Sequence, residues 1–454
     1  MAPLDAGLRV SMSIAKTYLK AEDETPSAPL SRLHVAIIAV CALGFGFDLW
    51  EVALTSVLSA VFGAHADPAT TRQLPWLLSS IYIGALVGAP VFGKAGDRLG
   101  RRTVLIGLMA LLGLSSLAAA MTPSLVGVTV LRVIGGMAMG AYPPVMFAYL
   151  TDILPAARRG PVLILVSAIG ALGAPLAIFL VRDLTPLAPL GLEGWRWAFV
   201  IGGGGAAVLA VAFAALPESP RWLLACGRDG AADTIMSRFL ASPPLVRFRT
   251  ADQTRPPPDP PPSDTPSRLV WAVIFGLYFL SGWALISFPI ISAPILLEKG
   301  FKLSDTLLYV GVAAFGPPIG SLAATPFIDK IDRRLGLGLC AGLIAVAIIA
   351  FAWGTSPLVL MASGFAFNLV ALMYVPMLYI LAGEVFPTRM RSFAVAISWA
   401  FNRLGAALAP LALLPLLKAQ GPFAIAGIMI AALALSVLVI VTVAPRGARG
   451  QAVQ

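Results

Sequence analysis

Long apolar stretches restrict what this chain can fold into more than any other feature. About 20 helical residues span the hydrocarbon of a bilayer. Backbone groups in lipid must be hydrogen-bonded internally, which leaves helices or closed barrels. Apolar runs cover residues 34–62, 74–93, 102–120, 124–149, 160–181 and 196–216, then 268–296, 304–328, 335–353, 357–383, 392–415 and 421–444. They are read as spans 1 to 12 of an all-α integral membrane protein. Charged residues make up 12 % of the chain, about half the share of a soluble domain.

The same reading excludes several classes. Cys41, Cys226 and Cys340 lie in two spans and a loop, and His34 and His65 are the two histidines. Neither a disulfide framework nor a metal site is expected. No nucleophile–base set or cofactor loop appears, and the glycines at 202–205 fall inside span 6, so an enzyme is not expected. The first 32 residues are polar and mixed in charge, unlike a cleavable signal peptide.

Basic residues give the orientation. With the N-terminus inside, 24 of the 32 Lys and Arg fall in the tails and inner loops, and six fall in outer loops. The positive-inside rule then places both termini in the cytoplasm, and the net charge of +10 reflects topology, not nucleic-acid binding. The remaining two, Arg132 and Arg403, lie within spans 4 and 11. The expected organisation is a tail (1–33), a six-helix half (34–216), a linker (217–267), a second half (268–444) and a tail (445–454). The linker contains a candidate amphipathic helix, "DGAADTIMSRFLA", followed by "RPPPDPPPSDTP", which suits an extended polyproline segment.

A repeat relates the two halves. At an offset of 232 residues, Tyr142 falls on Tyr374, Pro144 on Pro376, Asp152 on Glu384, Pro155 on Pro387 and Arg159 on Arg391. The same offset puts Asp97 on Asp329, Arg101 on Arg333 and Arg102 on Arg334. Two halves repeated in the same orientation and related by an axis along the membrane normal are a transporter architecture.

The motif "GKAGDRLGRR" at 93–102 matches the loop-2–3 signature of the major facilitator superfamily. "PESPRWLL" at 217–224 resembles its sugar-porter-type motif, and "GEVFPTRMR" at 383–391 and "RVIGG" at 132–136 resemble its loop-10–11 and helix-4 motifs. The resemblance implies twelve spans in two pseudo-symmetric halves, alternating access around a midplane cavity, and helices 1 and 4 lining that cavity. A multi-pass protein of the plasma membrane, as in a bacterial inner membrane, is expected. Gly93 and Gly100 permit a tight turn. The charges Asp97, Arg98, Arg101, Arg102, Asp152, Arg159, Glu218, Arg221, Asp329, Arg333, Glu384 and Arg391 are expected to latch the inner gate across the halves. In the second copy Thr325 and Asp332 replace the two glycines, which predicts a weaker latch.

Charge inside a membrane is costly and normally faces a cavity or a partner. Asp48 and Glu51 belong to "GFGFDLWE" in span 1, on a stripe with Gly44, Thr55 and Ser59 that should face the bundle interior. A depth count along ideal helices sets Asp48 level with Arg132, so an Asp48–Arg132 pair is expected, with Glu51 a turn further out. Asp48, with Glu51 second, is the candidate proton-coupling carboxylate, and Arg132 and Arg403 are the candidate anion sites. Asn368, Asn402, Tyr142, Tyr374, Tyr278 and Trp283 are further substrate-binding candidates.

Spans 5 and 7 carry no amide side chain, which disfavours a hexose. "FGFDLWE" is similar to helix 1 of the metabolite and aromatic-acid proton symporters, although Phe45 replaces their first aspartate. The expectation is a secondary active transporter performing proton-coupled symport of a small organic anion, a carboxylate or aromatic acid. A drug or metabolite exporter by proton antiport, a sugar-type facilitator and a non-transporting sensor are the alternatives. The expected partners are the substrate, protons and the lipid bilayer, with no nucleic acid and no cofactor, and the monomer is the expected working unit.

Overall fold

The computed structural model describes residues 30–64, 67–241, 244–246, 267–324, 333–386 and 388–442. Spans 1 to 4 are the helices Arg32–Gly63, Pro68–Leu99, Arg101–Met121 and Leu125–Ile153. Span 5 is the pair Ala156–Ala171 and Gly173–Leu184, and span 6 is Gly194–Ala215. In the second half, span 7 runs Arg268–Glu298 with a π-helical turn at Gly282–Ile286, and span 8 comprises Leu303–Ala313 and Gly316–Ala324. Spans 9 and 10 are Arg333–Trp353 and Pro357–Val385.

The last helix, Thr388–Thr442, is 55 residues long, about twice what one crossing needs. Gly421, at φ 77° and ψ −178°, breaks it in a conformation that only glycine adopts cheaply. Residues 388–420 and 422–442 are therefore spans 11 and 12, and the twelve expected spans are present. Several run past their expected limits because caps extend them. Span 2 begins at Pro68 behind Asp67, whose carboxylate accepts a hydrogen bond from Thr70 N at 3.0 Å; the Thr70 contacts hold this carboxyl below its usual range.

Between the halves, Ser219 caps the short helix Pro220–Ala225, and Asp229–Ala241 forms the expected linker helix. Ala232, Met236 and Phe239 on one face of it are buried. Strand β1 (Leu30–Ser31) pairs antiparallel with β2 (Pro244–Val246).

Packing between spans relies on small residues, as expected where lipid removes the hydrophobic drive for association. Spans 2 and 4 meet backbone to backbone. A Cβ on Gly84 would strike Val133 O, one on Gly136 would strike Ile81 O, and one on Gly140 would strike Ala85. Spans 7 and 11 approach in the same way at Gly282, against Asn402 O, and at Gly405, against Phe279 O. The halves touch through spans 1 and 7, 2 and 11, and 5 and 8.

Replacing Gly136 by Val should therefore separate spans 2 and 4 and lower the Tm and folded yield of the purified protein. Gly107→Ala, where an added Cβ meets nothing within 4 Å, should leave both unchanged. Thermal unfolding in detergent measures the difference.

Candidate functional site

Four ionisable side chains lie deep in spans 1, 4 and 11, and their pairing differs from the expected one. Asp48, Glu51 and Arg132 are 1 %, 4 % and 2 % exposed. Arg132 Nη1 lies 3.8 Å from Glu51 Oε2, and Arg132 Nη2 donates to Thr55 Oγ1 at 2.6 Å. Ser116 of span 3 donates to Glu51 Oε1, and the Arg132 guanidinium sits 5.8 Å from the Phe199 ring centroid. The expected Asp48–Arg132 ion pair is not formed. Span 1 has 32 residues, a length of about 48 Å that overshoots the hydrocarbon. Counting depth from its inner end thus misplaced the partner. Measured from the outer end at Gly63, Thr55 lies about 12 Å in, as Arg132 does from Ser124, and Glu51 is one turn deeper.

Asp48 makes no ion pair among the described residues, and its Oδ1 has no hydrogen-bond partner. Arg403, from the other half, lies within electrostatic reach of it. Arg403 is half-buried, makes no ion pair among the described residues, and sits 5.7 Å from the Trp399 ring centroid. Tyr82 of span 2 lies within electrostatic reach of both Arg132 and Arg403. The buried charges thus form two groups: Glu51 with Arg132 inside the N-terminal half, and Asp48 within electrostatic reach of Arg403 across the boundary.

Most other candidates hold helices together. Asn402 Nδ2 donates to Tyr278 O at 3.3 Å and to Ser281 Oγ at 2.9 Å, stapling span 11 to span 7. Asn368 Nδ2 donates to Gly364 O of its own helix at 3.0 Å. Tyr142 fills the notch beside Gly44 and donates to Cys41 O at 3.0 Å, fastening span 4 to span 1. Tyr374 is buried beside Ser436, and Trp283 stacks on Phe279 with centroids 6.1 Å apart. Tyr278 packs edge-on against Trp399 at 5.6 Å. Thr55, Ser116, Tyr82 and Trp399 were not singled out as site residues from sequence; the helical stripe through Asp48 and Glu51 does contain Thr55.

At the face where span 1 begins and span 12 ends, the signature residues form one network in the first half. Arg101 pairs with Asp97 and lies 3.6 Å from Asp152 Oδ2 through its Nε. Asp152 Oδ2 also accepts from Ser219 Oγ at 2.9 Å, and Arg221 Nε donates to Asp152 O at 3.2 Å. Glu218, expected beside Arg221, instead caps span 3. Its Oε1 accepts from Arg102 N at 3.0 Å and Ser219 N at 2.9 Å, and its Oε2 lies 3.4 Å from Thr103 N. A carboxylate there satisfies free N–H groups and complements the helix dipole.

Gly100, at φ 101°, makes the turn that exposes those N–H groups to Glu218, whereas a Cβ at Gly93 would meet nothing. Trp222 Nε1 donates to Asp97 O at 2.8 Å, Arg102 Nε to Phe213 O at 3.2 Å, and Arg159 Nε to Leu154 O at 3.0 Å, while Arg98 is exposed. Asp329 and the side chains of Arg333, Glu384 and Arg391 lie outside the described residues.

At the opposite face, hydrogen bonds cross between the halves. Ser59 Oγ donates to Ile290 O at 2.7 Å, Lys418 Nζ to Thr71 Oγ1 at 2.9 Å, and Arg182 Nε to Ser304 O at 3.3 Å.

Twelve spans in two repeated halves, with charges buried between and within them, define a multi-pass membrane transporter of the major facilitator superfamily, not an enzyme. The model of the family described as "Sugar (and other) transporter" matches residues 34–446, and the chain belongs to that family. It is 24 % identical over 442 residues to the niacin transporter NiaP of Acinetobacter baylyi, covering 94 % of this chain and 97 % of that one. It is 25 % identical over 399 residues to the arabinose-proton symporter of Bacillus subtilis, covering 83 % and 85 %. The inward-open, partially occluded structure of the xylose transporter XylE from E. coli superposes with a TM-score of 0.72 at 18 % identity, covering 92 % of this chain and 99 % of that one.

Removing the Glu218 carboxylate leaves the start of span 3 uncapped. Glu218→Ala should cost about 1 kcal/mol of stability, read as a lowered Tm, whereas Arg98→Ala should be neutral.

Proposed function

We propose that the chain is a proton-coupled symporter of a small organic anion, working by alternating access with both termini in the cytoplasm of a bacterial inner membrane. The observation that carries this reading is Arg403: a half-buried cation in the C-terminal half, with no ion pair among the described residues and the buried, unpaired Asp48 of the other half within electrostatic reach. Ionised Asp48 competes with a substrate carboxylate for Arg403. Protonation of Asp48 removes the competitor, so proton and anion load together. Trp399 beneath the guanidinium offers a flat surface that suits an aromatic acid. The niacin transporter among the relatives is named for an aromatic carboxylate, and the arabinose-proton symporter for proton coupling.

A sugar is the second reading, because the family description and two of the relatives name sugars. Against it stand the absence of amides in spans 5 and 7 and the engagement of Asn402 in helix packing. Asp97, Asp152, Glu218 and their arginines serve the inner gate by bracing the ends of spans 2, 3, 4 and 6.

Uptake into proteoliposomes under an imposed pH gradient tests the reading, with nicotinate, benzoate derivatives and pentoses as the panel. Asp48→Asn should abolish uphill accumulation while retaining exchange of substrate across the membrane. Arg403→Ala should raise KM for the acid at least tenfold, since a charged hydrogen bond contributes about 1.5–3 kcal/mol. Uphill accumulation by Asp48→Asn would remove Asp48 from the coupling step, and uptake of pentoses alone would replace the anion by a sugar.

A further inference from the structure

Glu51 and Arg132 are opposite charges that do not touch. Their closest approach, 3.8 Å, exceeds a hydrogen bond, and polar groups at that spacing are commonly joined through a water. Arg132 uses Nη2 on Thr55, while its Nε and Nη1 are buried without a hydrogen-bond partner. A buried charged donor left unmade is costly, more so than a neutral one, so two such donors on one guanidinium call for a ligand.

The space for it exists. A cavity of about 10 Å³ lies among Glu51, Ser115, Ser116, Arg132, Gly135 and Phe199, close to the smallest volume, about 10–15 Å³, that holds one water. Its polar lining meets the second requirement, two to four hydrogen-bond partners. The Ser116 hydroxyl donates to Glu51 Oε1 and the Ser115 hydroxyl to Leu112 O at 3.0 Å. Both serine donors are thereby engaged, which leaves Arg132 as the donor to a water, and Glu51 Oε2 is the charged, hence strongest, acceptor beside it. A metal ion is excluded by the guanidinium, and an anion by the carboxylate.

We propose that this cavity is a built water site in which one water accepts from Arg132 and donates to Glu51 Oε2. The bridge keeps the Arg132 charge neutralised inside the N-terminal half. On the symport reading above, the substrate anion then meets Arg403 and not Arg132. The water site itself stands apart from that reading and has its own test.

Hydroxyl-radical footprinting by X-ray pulses, on the full-length protein in nanodiscs, reports side chains next to bound water. Ile81 and Phe199, each 1 % exposed and lining the cavity, should be labelled well above Ile37 and Phe213, each 0 % exposed and remote from it. Equal labelling of the two sets would show a dry cavity and overturn the proposal without a variant. In Gly135→Ala the new Cβ would lie 2.8 Å from Ser115 Oγ and crowd the cavity, so the excess label should be lost; its persistence would place the water elsewhere.

Discussion

A guanidinium in the middle of a membrane must be neutralised, and the geometry of the N-terminal half follows from how this chain does it. Arg132 has Glu51 on span 1 as its counter-ion, Thr55 on the same span as its acceptor, and Phe199 of span 6 across its face. Ser116 on span 3 holds the carboxylate in place. Four spans thus converge on one buried pair. Breaking such a pair by removing one partner costs far more than the pair contributes, because the remaining charge stays buried. Spans 1, 3, 4 and 6 are therefore tied to one another by charge as well as by packing, and that half can move as a unit.

Small residues make this convergence possible. Gly84, Gly136 and Gly140 bring spans 2 and 4 into backbone contact, which carries Arg132 inward far enough to reach span 1. In the C-terminal half the corresponding contact is between spans 7 and 11, through Gly282 and Gly405. There Asn402 is drawn into hydrogen bonds with Tyr278 and Ser281, while Arg403, the next residue, is left with Trp399. One half has its arginine neutralised internally. The other presents an arginine whose counter-charge, Asp48, belongs to its neighbour. That asymmetry leaves two charges, the buried Asp48 and the half-buried Arg403, on opposite sides of the boundary with no ion pair among the described residues.

The fold was legible in the sequence because apolar length, positive-inside bias and a gapless repeat all reflect the bilayer, a strong and uniform constraint. Twelve spans and two repeated halves follow from it, even where spans 11 and 12 run together and Gly421 alone breaks the helix between them. The identities of the buried charges were legible for the same reason, since ionisable residues stand out against an apolar background. Their partners were not. The helical stripe grouped Asp48, Glu51 and Thr55 correctly but could not say which of them faces span 4, because helix 1 overshoots the hydrocarbon and depth counted from one end drifts by a turn. Polar residues such as Tyr142 and Asn402 look like cavity groups in the sequence because sequence shows a side chain's chemistry and hides the neighbour it meets.

The two faces of the protein are held by different kinds of contact, and this bears on how the halves could rock. Toward the face away from the termini, the described hydrogen bonds join one half to the other: Ser59 to Ile290, Lys418 to Thr71, and Arg182 to Ser304. The neutral Ser59 bond contributes about 1 kcal/mol net, and the charged donors Lys418 and Arg182 make theirs at exposed positions, where solvent screening weakens them. At the terminal face the described network of Asp97, Arg101, Asp152, Ser219 and Glu218 stays within the first half. It fixes the ends of spans 2, 3 and 4 to the segment after span 6, so a load applied at that face is borne by the half as a body. A few weak, separable bonds between halves on one side and a rigid brace within a half on the other allow the boundary to open without unfolding either half. The same division explains why Glu218 serves better as a cap on span 3 than as a partner for Arg221: the brace must keep its shape in every state that the boundary adopts.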